Sequence, residues 1–212
     1  MTVQAKICGV NTAAAMEAAI AGGATFVGLM FVQKSPRFVA TPDAAKLAAR
    51  AESTQRVGVF VDPSDAQLER VLAQVPIELI QLHGAEPPQR VETIRTRTGR
   101  PVMKALAIAT ADDVAAAKAY EDVADWLLFD AKPPTSTALP GGNATAFDWK
   151  LLYGSTWRKP WMLSGGLTDA NVAQAVKATG ATTVDVSSGV EDGPAKKSPE
   201  RIAAFLKAVN AL

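Results

Sequence analysis

The sequence predicts a (β/α)₈ barrel, a TIM barrel of eight parallel strands in one α/β domain spanning residues 1–212, and three observations carry that prediction. Eight short apolar runs rich in β-branched and aromatic residues alternate with segments of helical periodicity. Successive runs start about 20–35 residues apart, the length of one strand–helix unit, and strands separated by helices pair in parallel through right-handed crossovers. Eight such units fill 212 residues without large insertions, as a closed barrel requires. An open doubly wound sheet is the competing architecture, but Gly9-Val10-Asn11 lacks the G-x-G-x-x-G of its first turn. No linker, charge block or low-complexity tract marks a second domain.

The predicted strands are Val3–Cys8, Phe26–Phe31, Val57–Val61, Leu79–Leu82, Val102–Leu106, Trp126–Phe129, Trp161–Leu163 and Thr183–Val186. The predicted helices are Ala13–Ala21, Ala44–Ala51, Asp65–Gln74, Gln89–Arg97, Ala111–Tyr120, Ala170–Ala178 and Pro199–Val209. Thr41 before Pro42, Ser64, Thr110, Thr168 and Ser198 before Pro199 are hydroxyl residues placed to cap helix starts. Two connections are long: Val32–Thr41 after the second strand and Asp130–Asp148 after the sixth. Both fall on the C-terminal face, where barrels build active sites, and long loops in compact domains usually serve function. Gly141-Gly142 gives the second a hinge.

Composition excludes several functions. The chain is 48% hydrophobic and 20% charged with a formal charge of +1, so nothing draws it to nucleic acid or an acidic membrane. One cysteine forms no intramolecular disulfide, and one Cys with one His cannot build a structural zinc site. The start Met1–Lys6 has no charged leader with an apolar core, and no run reaches the roughly 18 apolar residues of a membrane span. The expectation is a cytoplasmic enzyme or binding protein.

Cys8, the only cysteine, ends the first strand in Lys6-Ile7-Cys8-Gly9. A lone cysteine is commonly a buried filler. Here it sits at a strand end and shares a face with Lys6, whose ammonium favours a thiolate able to act as base or nucleophile. Asp130 ends the sixth strand after Trp126-Leu127-Leu128-Phe129. It is either a loop cap or a partly desolvated carboxyl with a raised pKa, suited to general acid work. Strands one and six lie three steps apart around the ring, so base and acid would face each other across the mouth, as a proton-shuffling isomerisation needs. Ser164-Gly165-Gly166 follows strand seven and Ser187-Ser188-Gly189 follows strand eight, the two positions where barrels often grip phosphate. Arg37, in Lys34-Ser35-Pro36-Arg37-Phe38, offers a fork for a carboxylate. His83, in Gln81-Leu82-His83-Gly84, is either a substrate partner or a satisfied core histidine. Asp62 and Lys104 point to the mouth only if the register allows.

Lys6-Ile-Cys-Gly9, Lys34-Ser-Pro-Arg-Phe38, Val57-Gly-Val-Phe-Val61, Gln81-Leu-His-Gly84, Leu128-Phe-Asp130, Phe147-Asp-Trp149, Ser164-Gly-Gly-Leu167 and Val184-Asp-Val-Ser-Ser-Gly-Val-Glu191 together resemble the phosphoribosylanthranilate isomerases of tryptophan biosynthesis. The matches run from the first strand to the last loop. The resemblance implies an Amadori rearrangement of phosphoribosylanthranilate without metal or organic cofactor. It implies Asp130 as the acid on the ring oxygen, Cys8 as the base at C2, and Arg37 at the anthranilate end, with Gln81 and His83 as further substrate contacts. Gly165, Gly166, Ser187, Ser188 and Gly189 would hold the phosphate. The protein would be a monomer or homodimer. Cys8, where an isomerase also serving histidine synthesis would carry a carboxylate, implies a single substrate. Family members commonly read Gly-Gly-Thr-Gly in the loop after strand six; Gly141-Gly142-Asn143-Ala144 departs from it. Another phosphosugar barrel is disfavoured because an epimerase or indole-forming synthase on this fold differs in its strand-end residues, a lyase or condensation wanting a lysine–glutamate pair. A non-catalytic phosphate binder is disfavoured because Cys8, Asp130 and Arg37 are all present.

Overall fold

Eight parallel strands hydrogen-bond in chain order and close on themselves, the last pairing with the first, in a computed structural model that describes residues 2–51, 53–132 and 148–212. The strands are β1 (Gln4–Cys8), β2 (Phe26–Met30), β3 (Gln55–Phe60), β4 (Leu79–Leu82), β5 (Val102–Ile108), β6 (Trp126–Ala131), β7 (Trp161–Leu163) and β8 (Thr183–Val186). The helices are α1 (Ala13–Ala21), α2 (Thr41–Ala48), α3 (Asp65–Leu72), α4 (Pro88–Thr98), α5 (Ala111–Ala117), α6 (Val172–Thr179) and α7 (Pro199–Asn210). All eight predicted strands and all seven predicted helices are therefore present. The predicted hinge at Gly141-Gly142 and the departure at Asn143-Ala144 lie outside the described residues.

Strand alternation divides the interior into two cores. On β6, Leu127 and Phe129 pack outward with Ile7, Ile80, Leu82 and Phe205 in the layer between strands and helices. Leu128 points the other way and joins Cys8, Val57, Val59, Leu79, Met103 and Met162 inside the ring. Each fully buried aliphatic side chain stabilises the fold by about 1.5–3 kcal/mol, so both layers are needed to hold the strand ends in place. The inner core is where register matters. Lys6 pairs in register with Asp185 across the closure of β1 on β8, which puts two charged residues into that interior together.

Helix starts follow the capping rules in three of five predicted places. Ser64 accepts from the Gln67 N–H, Ser198 from the Arg201 N–H, and Thr110 with Asp113 forms a reciprocal capping box. Thr41 instead lies inside α2, whose cap is Ala40; Pro42 supplies the pre-set φ there. Thr168 is also displaced, because Asn171 caps α6 and its Oδ1 turns back to accept from the Thr168 N–H. A two-stranded hairpin between β8 and α7, β9 (Glu191–Gly193) with β10 (Lys196–Lys197), was not anticipated, being short and fully polar.

Candidate active site

The mouth is assembled from the ends of β1, β4, β6, β7 and β8. Lys6 lies one inward position below Cys8, and its Nζ is 2.7 Å from Asp185 Oδ1 with both side chains almost wholly shielded (0% and 4% exposed). Ser164 Oγ donates to the other carboxylate oxygen at 3.1 Å. Burial alone would depress the Lys6 ammonium, but Asp185 and Cys8 beside it hold it above its ordinary value. Burial pushes the Cys8 thiol above its ordinary range, with Lys6 pulling it back. The lysine is where its face predicted and does favour the thiolate, but burial outweighs it and Asp185 shares its charge.

Breaking a buried pair strands the surviving charge, at about 3–5 kcal/mol. Lys6→Met should therefore lower the unfolding free energy by that amount in urea titrations. The double change Lys6→Met/Asp185→Asn should recover most of it. Equal loss in both variants would contradict the pairing.

Asp130 sits at the end of β6, 6% exposed, and accepts from the Ala131 N–H at 2.8 Å. His83 reaches it from β4: its Nε2 is 3.3 Å from Asp130 Oδ2. Behind the imidazole, Gln81 Nε2 lies 2.9 Å from His83 Nδ1. Gln81 itself is fully buried, so it reaches the mouth only through His83 rather than as a direct contact. The predicted acid, histidine and glutamine thus lie in one line, joined by a Gln81–His83 hydrogen bond and a 3.3 Å contact between His83 and Asp130.

Arg37 lies across the backbone that leaves β1. A side chain at residue 9 would fall 2.7 Å from Arg37 Cδ, and Gly9 has φ +74°, so glycine is required there on both counts. The guanidinium is held side-on by Glu191, Nε at 2.7 Å and Nη2 at 2.9 Å. Glu191 also takes the Lys197 ammonium at 2.6 Å. Burial would raise the Glu191 carboxyl, but Arg37 and Lys197 outweigh it and hold it below the usual range. One anion shared by two cations leaves a net positive charge beside Cys8, with the outer edge of Arg37 unclaimed by Glu191.

The two glycine loops abut. Gly165 (φ +91°) and Gly166 (φ +66°) take successive left-handed conformations, which turns neighbouring N–H groups toward one side. Their N–H groups donate to no acceptor among the described residues. A side chain at residue 165 would fall 2.7 Å from the Ala131 nitrogen, so this loop sits directly against the end of β6. A side chain at residue 189 would collide with the Leu167 carbonyl, which packs the second loop against the first. Ser188 and Gly189 open a short 3₁₀ turn, Ser188–Val190. Ser187 faces inward: its Oγ donates to the Cys8 carbonyl at 3.2 Å and lies 3.2 Å from Lys197 Nζ, so its hydroxyl is already engaged.

Asp62 and Lys104 fall outside this set. Lys104 alternates with inward Met103 and Ala105 and instead binds Glu86 at 2.7 Å on the outer side. Asp62 Oδ1 accepts the Ala85 N–H at 2.9 Å, tying together the loops after β3 and β4. Sequence reasoning missed Asp185, Glu191 and Lys197 as site residues. The signal for Asp185 was present, a lone carboxylate at an inward position of an apolar strand. For Lys197 it was absent, because the hairpin that carries it was not foreseen.

Residues 5–208 match the sequence profile of the family described as N-(5'-phosphoribosyl)anthranilate (PRA) isomerase. The N-(5'-phosphoribosyl)anthranilate isomerase of Rhodospirillum centenum is 56% identical over 214 residues, covering 100% of both chains. A crystal structure of phosphoribosyl anthranilate isomerase from Thermotoga maritima superposes with a TM-score of 0.88 at 33% identity, over 99% of this chain and 100% of that one. A structure of a phosphoribosyl anthranilate isomerase in complex with reduced 1-(o-carboxyphenylamino)-1-deoxyribulose 5-phosphate superposes with a TM-score of 0.83 at 30% identity, over 99% and 100%.

Proposed function

Because the chain belongs to the N-(5'-phosphoribosyl)anthranilate isomerase family of tryptophan biosynthesis, we propose that its reaction is the Amadori rearrangement of N-(5'-phosphoribosyl)anthranilate to 1-(2-carboxyphenylamino)-1-deoxyribulose 5-phosphate. Asp130 gives its proton to the furanose ring oxygen, the C1–O bond breaks with the anthranilate nitrogen supplying electrons, and an open-chain imine results. Cys8 as thiolate then takes the C2 proton, leaving an enolamine. Tautomerisation returns a proton to C1 and yields the ketone, with no net gain or loss of atoms.

The observation that carries this reading is the opposition of Cys8 and Asp130 on β1 and β6, three strands apart around the closed ring, beside two abutting glycine loops. A thiol pushed up by burial is sparsely ionised, yet as thiolate it is a stronger base toward a carbon acid. Positive charge on the imine favours that ionisation at the step that needs it. The paired glycine N–H groups suit the phosphate, and the outer edge of Arg37 suits the anthranilate carboxylate.

Incubation with phosphoribosylanthranilate should give a product of unchanged mass and altered chromatographic mobility. Release of free anthranilate instead would mean hydrolysis and would overturn the isomerase mechanism. Arg37→Ala should raise KM by roughly 10- to 100-fold, the loss of a charge-assisted hydrogen bond, with a smaller change in kcat. Steady-state kinetics checks this; a fall confined to kcat would move Arg37 from binding to the chemical step.

A further inference from the structure

His83 Nε2 lies 3.3 Å from Asp130 Oδ2, and the surroundings of the imidazole decide which of its nitrogens carries the proton. Neutral imidazole carries one N–H, and which nitrogen holds it is set by the partner of the other. His83 Nδ1 faces the Gln81 amide nitrogen at 2.9 Å, a donor, so Nδ1 is the bare acceptor. The ring proton is then on Nε2, the nitrogen 3.3 Å from Asp130 Oδ2. Turning the amide over would put its oxygen on an Nδ1–H and leave a bare Nε2 beside the carboxyl. In the observed orientation the other end of the amide, Gln81 Oε1, has no partner among the described residues. The His83 backbone is fixed as well, its N–H donating to the Phe60 carbonyl at 2.8 Å.

We infer that Gln81 is a positioning residue that locks the sole histidine as a hydrogen-bond donor toward Asp130, so that His83 stabilises the carboxylate left after proton donation instead of drawing that proton away from the substrate. The inference rests on the reading of Asp130 as the acid and adds how its conjugate base is supported. A hydrogen bond to an ionised acceptor is roughly twice as strong as a neutral one, so the His83 donor gains strength as the proton leaves. With the other tautomer, bare Nε2 would accept the carboxyl proton and hold it inside the wall. Gln81, fully buried behind the imidazole, decides between these cases.

The chain has one histidine, so nitrogen NMR of the labelled full chain shows a single imidazole. The wild type should show a protonated Nε2 and a bare Nδ1. Gln81→Glu, which offers Nδ1 an acceptor, should protonate Nδ1. It should also lower kcat by roughly 10-fold or more, short of the 10²–10⁴ of a lost acid, with KM little changed. Gln81→Leu, which adds no charge to the interior, should give mixed tautomers and an intermediate kcat. A bare Nε2 in the wild type would overturn the inference. So would Gln81→Glu or Gln81→Leu that changes the tautomer while leaving kcat intact, provided Asp130→Asn is inactive. If Asp130→Asn retains full kcat, the acid assignment fails and the inference falls with it, whatever the tautomer; the Asp130→Asn assay thus separates the two failures.

Discussion

Cys8→Ala should lower kcat by at least 10²–10⁴-fold, the contribution of a positioned base, while leaving the fold intact. The thiol sits inside the ring with Val57, Met103 and Leu128, and removing one sulfur from that layer leaves Lys6 paired with Asp185. Circular dichroism and urea titration should therefore report a folded barrel. The wild-type pH profile is a second readout of the same group. Burial holds the thiol above its ordinary value, so the thiolate fraction grows as pH rises toward that value. The limb of kcat governed by the base should accordingly climb with pH above neutrality, by up to about tenfold per unit. A near-unchanged kcat in Cys8→Ala would remove the thiol from the mechanism.

Asp130→Asn should cost kcat a similar 10²–10⁴-fold, because an amide keeps the shape but has no proton to deliver to the ring oxygen. The asparagine oxygen can still accept from the Ala131 N–H, while its amide nitrogen takes the place of Oδ2 beside His83 Nε2. KM should change little, since the phosphate loops and Arg37 are untouched. Steady-state kinetics at matched pH checks this; a large rise in KM with kcat retained would recast Asp130 as a binding group.

The barrel was legible in the sequence because its signal is periodic and repeated. Trp126–Phe129 and Trp161–Leu163 are continuous apolar runs, as expected of strands covered on both sides, and β4 spans the residues its run predicted. Cys8, Asp130 and Arg37 were legible because each is a chemically distinctive residue at a strand end or in a long loop. What the sequence concealed lies in pairings between distant segments. Lys6 reads as a neighbour of Cys8 along one strand, but its ammonium is held by Asp185, 179 residues away, and nothing local to either residue fixes that contact. Lys197 belongs to a polar hairpin with no hydrophobic period, so neither its element nor its bond to Glu191 could be read ahead. Gln81 was expected as a substrate contact only through the family resemblance. In the structure it is fully buried, with its amide nitrogen 2.9 Å from His83 Nδ1.

The most direct test of the thiol–carboxyl mechanism is a single-turnover mixing experiment with freshly made phosphoribosylanthranilate. It follows the loss of anthranilate-type fluorescence in wild type, Cys8→Ala and Asp130→Asn side by side. Rapid loss in the wild type, with both variants slowed by about two orders of magnitude or more, is the predicted result. Loss at the wild-type rate in either variant would contradict the assignment of base and acid to the two sides of the mouth.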